Sequence, residues 1–254
     1  LGHRTFHINM DLITRVLVLL VLFLGSALAP TLHAQTTQAN GGCLTQSRQQ
    51  IGHDLRWLWK GIETAPRNSL RPPNLEWELP VAAATGILIA SADAPASRRI
   101  QSPSLQRNAN RFSNIGIALE LAAAGATYGV GCFTDRGPAR NAGLTALEAA
   151  GAASAIDLLL KHGTNRQLPT QDSGRGEFWE GGTSFASSHA AASFAFASVI
   201  AHRYPHNRWA TWGSYAAATA VSLARFPAKK HFLSDIVAGG TLGYVTGAYL
   251  ASSH

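Results

Sequence analysis

The chain has 254 residues, with 21 Lys and Arg against 14 acidic residues and a formal net charge of +7 at neutral pH. A hydrophobic content of 46% excludes wholesale disorder, and the length suffices for one substantial core. The positive balance favours anionic partners such as phosphates or anionic lipid headgroups, and no finger or recognition-helix signature supports nucleic acid.

In chain order, Arg4 and Arg15 precede or open an apolar run at 12 to 34, LITRVLVLLVLFLGSALAPTLHA, that ends in the small residues Ala27, Ala29 and Ala34. Residues 1 to 34 read as a signal peptide cleaved after Ala34, or as a retained anchor helix. Residues 35 to 50 are polar and read as flexible. Cys43 and Cys132 are the only cysteines; an exported chain can join them in a disulfide, and two free thiols are equally compatible with their spacing. Neither CxxC nor a clustered metal motif is present.

From 51 to 60, IGHDLRWLWK forms a short amphipathic helix that can lie on a membrane surface or dock on the body. A Pro-rich break follows at 68 to 80, then a short apolar run at 81 to 90. Residues 91 to 111, with Arg98, Arg99, Arg107 and Arg111, read as a polar basic connector. Residues 35 to 111 thus form a tail with connectors, and 112 to 254 the catalytic body.

The body carries helical segments at about 112 to 130, 142 to 161, 189 to 202, 208 to 224 and 232 to 250, rich in Ala, Leu and Gly. The fold class is therefore all-α, a helix bundle with about five to six core helices. Glu120, Glu148 and Asp157 interrupt the apolar runs, several of which fall short of the ~20 residues a span needs. A mean hydropathy of +0.03 is low for a polytopic protein. Against this, Ala- and Gly-rich runs with aromatic ends at Trp209, Trp212 and Tyr244 suit a membrane bundle. The loop at 170 to 183, with Gly174, Gly176, Gly181, Gly182, Phe178 and Trp179, has the composition of a pocket rim or of a plain connector.

The chemistry concentrates between Lys161 and Asp235. Lys161, Arg166 and Arg225 share this stretch with His189 and His231, and Asp235 stands four residues beyond the second histidine. Small and apolar residues crowd both histidines, where polar groups need partners or a task. Cations and the free N–H groups of a helix beginning at Ser187, Ser188 and His189 can hold an oxyanion. An imidazole oriented by a carboxylate can attack phosphorus, and a second can protonate the leaving alkoxide. Protein groups suffice for this, so no cofactor or metal is expected.

These segments resemble the three-part signature of the type 2 phosphatidic acid phosphatase (PAP2) and vanadium haloperoxidase superfamily. The first motif, Lys, six residues, Arg-Pro, is met by Lys161 and Pro169, with Leu168 at the Arg position. The second, Pro-Ser-Gly-His, reads Ala186, Ser187, Ser188, His189. In the third, Ser-Arg, five residues, His, three residues, Asp, the chain has Ala224, Arg225, His231 and Asp235.

The resemblance spans roughly 115 to 252 and implies a phosphatase acting on phosphate monoesters, lipid phosphates or lipid pyrophosphates through a phosphohistidine. It assigns His231 as nucleophile, Asp235 as its orienting partner and His189 as general acid. Lys161, Arg225, Ser187 and Ser188 bind phosphate, and Arg166 replaces the cation missing at Leu168. The implied partners are a phosphorylated small molecule or lipid and membrane lipid. The implied location is the cell envelope, in the inner membrane with a periplasmic active site, or soluble in the periplasm or secreted. The altered motifs leave two other readings, a non-catalytic phosphate- or lipid-binding envelope protein and a vanadium-dependent haloperoxidase.

Overall fold

The computed structural model describes residues 39–69, 71–172 and 174–253; the apolar run at 12 to 34 lies outside them. All the regular structure among the described residues is helical. Helix α1 covers Ala39–Ser69 and α2 covers Pro72–Ile87. A π turn at Leu88–Ala92 joins α2 to α3, Asp93–Arg98. The bundle continues with α4, Pro103–Phe133, α5, Gly137–Thr164, α6, Ser188–Arg203, α7, Arg208–Leu223, and α8, Leu233–Ala251.

Local chemistry sets these boundaries. Helices α2, α4 and α5 each carry Pro in the first turn, where the missing N–H costs nothing. Ser102 caps α4 by accepting from the Leu105 N–H at 3.4 Å, and Asn207 caps α7 by accepting from Ala210 at 3.0 Å. Helix α5 ends at Asn165, whose φ of 42° turns the chain sharply toward the next residue, Arg166.

Helix α6 is the centre, packed against α5, α7 and α8. Its inward positions are Ala190, Ala191, Ala195, Ala197, Ser193 and Ser198, all buried. Backbones can therefore approach closely, and on α8 any side chain at Gly243 would strike the Ala191 carbonyl. The apolar core forms around this contact, with Ala149, Ala153, Phe196, Val199, Ile200 and Leu250.

The N-terminal third differs from the sequence expectation. The polar stretch at 35 to 50 is helical from Ala39, and the amphipathic segment at 51 to 60 is the middle of the same helix. Tertiary bonds explain the override of a weak local signal. A disulfide joins Cys43 to Cys132 with a Cα separation of 5.6 Å, Ser47 Oγ lies 3.0 Å from the Tyr128 hydroxyl, and Gln50 donates to Thr145 at 3.0 Å. Trp57 donates to the Tyr249 carbonyl at 3.2 Å and stacks on its ring. The Pro-rich break is the start of α2. The basic connector at 91 to 111 holds α3 and the opening turns of α4.

Among the described residues, three helical stretches are long and apolar enough to cross a membrane: Pro72–Arg98, Pro103–Phe133 and Gly137–Thr164. Trp209, Trp212, Leu159 and Phe133 add exposed apolar surface.

Because the disulfide closes a loop of 89 residues in sequence, its reduction is expected to lower the unfolding free energy by roughly 2–4 kcal/mol. Denaturant unfolding with and without reductant measures this, and an unchanged midpoint would show that α1 docks without it.

Candidate active site

One end of the bundle collects the polar side chains. The last turn of α5 carries Lys161, the loop after it brings Arg166, Ser184 and Ser187 toward the start of α6, and the turn between α7 and α8 brings Arg225 and His231 to the same place. Asp235 occupies the third position of α8, where its Oδ2 accepts from the Phe232 N–H at 2.8 Å.

His231 is buried, and its Nδ1 lies 2.7 Å from the Ser184 carbonyl but 3.9 Å from Asp235 Oδ2. A carbonyl only accepts, so Nδ1 carries the proton and Nε2 keeps its lone pair. Burial, reinforced by Lys161 and Arg225, pulls the imidazole well below the ordinary histidine value. It is therefore neutral at physiological pH, as a nucleophile must be. The sequence expectation that Asp235 directly orients His231 is corrected here. Asp235 acts one residue removed, accepting from Ser184 Oγ at 2.5 Å, while the Ser184 carbonyl takes the imidazole proton.

Arg166 is the larger correction. It is completely buried and pairs with Asp235 at 2.5 Å and Asp93 at 2.8 Å, while Nε donates to the Gly176 carbonyl at 3.0 Å. Phe178 and Phe232 cover its two faces at 4.8 and 4.5 Å. So placed, it cannot replace the phosphate ligand absent at Leu168. Phe178 belongs to this seal rather than to a pocket rim; Trp179 beside it is exposed.

Ser187 is likewise engaged, its hydroxyl accepting from Ala190 as the cap of α6 and its N–H donating to the Asp235 carbonyl at 3.0 Å. Ser188 sits in helical conformation and donates to Asp157 Oδ2 at 2.5 Å. Lys161 donates to the same carboxylate oxygen and to the Ala186 carbonyl. Asp157 thus gathers Lys161 and Ser188 into one cluster, a role that its i, i+4 spacing from Lys161 on α5 can signal.

Arg225 is the opposite of Arg166. It is buried and, among the described residues, has no carboxylate partner: its Nη1 donates to the Asn110 and Asn114 amide oxygens at 3.0 and 3.2 Å, and its Nε finds no acceptor. Desolvation lowers its pKa to about 10. Asn114 Oδ1 also lies 3.0 Å from His189 Nε2, which places the His189 proton on Nε2. Neither asparagine stands out in the sequence; they lie one turn apart on α4, and their shared polar face is recognised only once Arg225 is set against it. Burial, then Arg225 and Lys161, lower the His189 pKa to about 4. Both histidines therefore sit in the field of the same two cations.

Residues 142–254 match the model of the PAP2 superfamily. The matched residues include Lys161, His189, Arg225, His231 and Asp235. Asp93, Asn110 and Asn114 lie before it. No curated protein and no solved structure matches the chain.

Burial is the largest cause of the His189 shift, and an anion between Arg225 and Lys161 would offset the part that the two cations add. Histidine NMR of the free protein should show His189 titrating near 4, and inorganic vanadate or phosphate should move it upward. The linkage has a definite sign. Between the ordinary value near 6.5 and about 4 the unfolded chain binds more protons, so His189 destabilises the fold as pH falls through that window. His189→Ala should flatten part of this loss in unfolding midpoints.

Proposed function

We propose that the protein is a phosphatase that hydrolyses phosphate monoesters through a phosphohistidine on His231. The observation that carries the reading is Arg225, a buried guanidinium with an unpartnered N–H and no carboxylate, set beside two neutral imidazoles. A buried cation without a counter-charge is costly until an anion arrives. Lys161, Ser188 and the N–H groups opening α6 complete the donor set for phosphoryl oxygens.

In the proposed reaction, His231 Nε2 bonds to phosphorus as the bond to the ester oxygen breaks. His189, protonated once the bound phosphoryl group offsets Arg225 and Lys161, gives its proton to the departing alkoxide. Water then attacks phosphorus, His189 takes a proton from it, and the N–P bond breaks to release phosphate and restore His231. Asp235, through Ser184, keeps the His231 proton on Nδ1 throughout.

An apolar groove supports an ester with a hydrocarbon portion, such as a lipid phosphate. It measures about 380 Å³ and is lined by Trp77, Val81, Phe194, Leu223, Ile236 and Tyr244. Leu223 lies two residues before Arg225, and Ile236 directly follows Asp235, so the groove shares its walls with the elements that carry the site.

The proposed location is the cell envelope with the site facing the periplasm. Along α4, Asn114 and Cys132 stand about 27 Å apart at the helical rise, close to the ~30 Å of a hydrocarbon core. A disulfide forms on the oxidising side. If α4 crossed the bilayer, the phosphate site would therefore face the reducing compartment. The two features share the periplasm when the apolar helices rest on a membrane without α4 threading it.

His231→Ala should form no acid-labile phosphoprotein and lose all turnover, whereas His189→Ala should spare nitrophenyl phosphate far more than alkyl phosphates, whose leaving groups need the proton. Failure to label the parent protein, with no hydrolysis of any monoester or pyrophosphate, would sink the phosphatase reading. For location, carbonate is expected to release the protein from membranes with the Cys43–Cys132 pair oxidised. A reduced Cys43–Cys132 pair in cells would overturn the periplasmic placement.

A further inference from the structure

Asp93 lies 49 residues before the start of the PAP2 match at 142, in a stretch that reads as a connector, yet it is fully buried. Its Oδ2 accepts from Arg166 Nη2 at 2.8 Å and from Ser234 Oγ, and its Oδ1 accepts from the Ser234 N–H at 3.1 Å. Ser234 Oγ in turn lies 2.7 Å from Arg166 Nη1, which donates to Asp235. Asp93, Arg166 and Ser234 close a ring, and Asp235 is tied to it through Arg166. Asp93 therefore supplies, from a distant segment, an acceptor for one of the orphan N–H groups opening α8. It also fixes the guanidinium that Asp235 requires.

The π turn at Leu88–Ala92 directly precedes Asp93. Such turns shift the phase of a helix and recur at functional sites. Of this segment, only Asp93 and Ser97, one turn apart, are buried. Stability alone is a poor account of the ring, since a buried ion pair adds little over apolar packing. The ring leads instead to the nucleophile: Asp93 holds Arg166 and Ser234, Arg166 holds Asp235, Asp235 holds Ser184, and Ser184 takes the His231 proton.

We infer that Asp93 is a positioning residue of the phosphatase site, which touches no substrate and sets the orientation and tautomer of His231 through Arg166, Asp235 and Ser184. The kinetic part of its test rests on the phosphatase reading; the spectroscopic part does not.

Asp93→Asn in the full chain, assayed with nitrophenyl phosphate and normalised to vanadate-binding sites, should lower kcat by roughly 10- to 100-fold, the scale of a misoriented catalytic group. KM should change by less than about threefold, because the phosphate ligands Arg225 and Lys161 are untouched. Added to Asp235→Asn, it should cost less than about threefold more, since both act along one chain of bonds. In ¹⁵N-histidine NMR, the His231 imidazole signals should move away from the tautomer with the proton on Nδ1.

Normal kcat per vanadate site, or independent multiplication of the two effects, would reduce Asp93 to a folding role and overturn the inference. Should the parent protein hydrolyse nothing, the phosphatase reading falls and NMR alone decides: unchanged His231 signals in Asp93→Asn overturn the positioning role, and shifted ones support it. If Asp93→Asn does not fold, Ser234→Ala breaks the same ring more gently and carries the same tests, with an expected loss of about threefold or more in kcat.

Discussion

One buried cation shared by two carboxylates governs this end of the bundle. Arg166 has no access to solvent, so every uncompensated N–H would carry the full cost of desolvation. Asp93, Asp235, the Ser234 hydroxyl and the Gly176 carbonyl meet that demand, and Phe178 and Phe232 exclude water from both faces. The constraint reaches into the backbone. Gly176 has φ of 71°, and a side chain there would strike the Phe232 ring, so the loop can bring its carbonyl to Arg166 only as glycine. The same carboxylate that neutralises Arg166 holds Ser184, and Ser184 holds the imidazole.

Arg225 differs from Arg166 in what it lacks. Both are buried guanidiniums, but Arg225 faces amide oxygens, which orient it without cancelling its charge. Lys161 lies between these extremes, its charge met by Asp157 while Ser188 shares the same oxygen. The site therefore holds Arg166, paired with two carboxylates as part of the scaffold, Lys161, paired with Asp157, and Arg225, oriented by amides alone. A missing Arg at Leu168 is tolerable in this arrangement only if Arg225, Lys161 and the opening turn of α6 supply enough donors. Arg166 cannot be recruited without breaking the bond that positions Asp235.

The bundle and the five helices of the body were legible because their Ala-, Leu- and Gly-rich runs are a local signal, whereas the starts of α2, α4 and α5 at Pro were read as a break, a connector or a loop. The third motif was legible for a similar reason, as His231 and Asp235 lie within one segment. What remained hidden depends on partners remote in sequence. Arg166 looks like a phosphate ligand from its neighbours Lys161 and Pro169; only burial against Asp93, 73 residues earlier, reveals its pairing. Asn110 and Asn114 had no signal beyond their shared face of α4. Helix α1 looked flexible for the complementary reason, because its polar sequence is held by a disulfide and by bonds to Tyr128 and Thr145 rather than by a strong amphipathic pattern.

The two ends of the bundle are consequently built on different principles. At the end where α4 meets α5, Cys132, Tyr128 and Thr145 tie down α1, and Trp57 clamps the end of α8 through Tyr249. At the other end, polar bonds hold loops and helix starts to one another, many of them through Asp235, Asp157, Asn114 and Asp93. Close packing of α6 on α8 connects the two: Gly239 lets α8 approach the Ser187 backbone, where the Ser187 N–H meets the Asp235 carbonyl. A side chain at Gly239 would push α8 away from α6 and carry Asp235 with it. The small residues that look like simple packing in the sequence therefore also set the depth at which the carboxylate sits beneath His231.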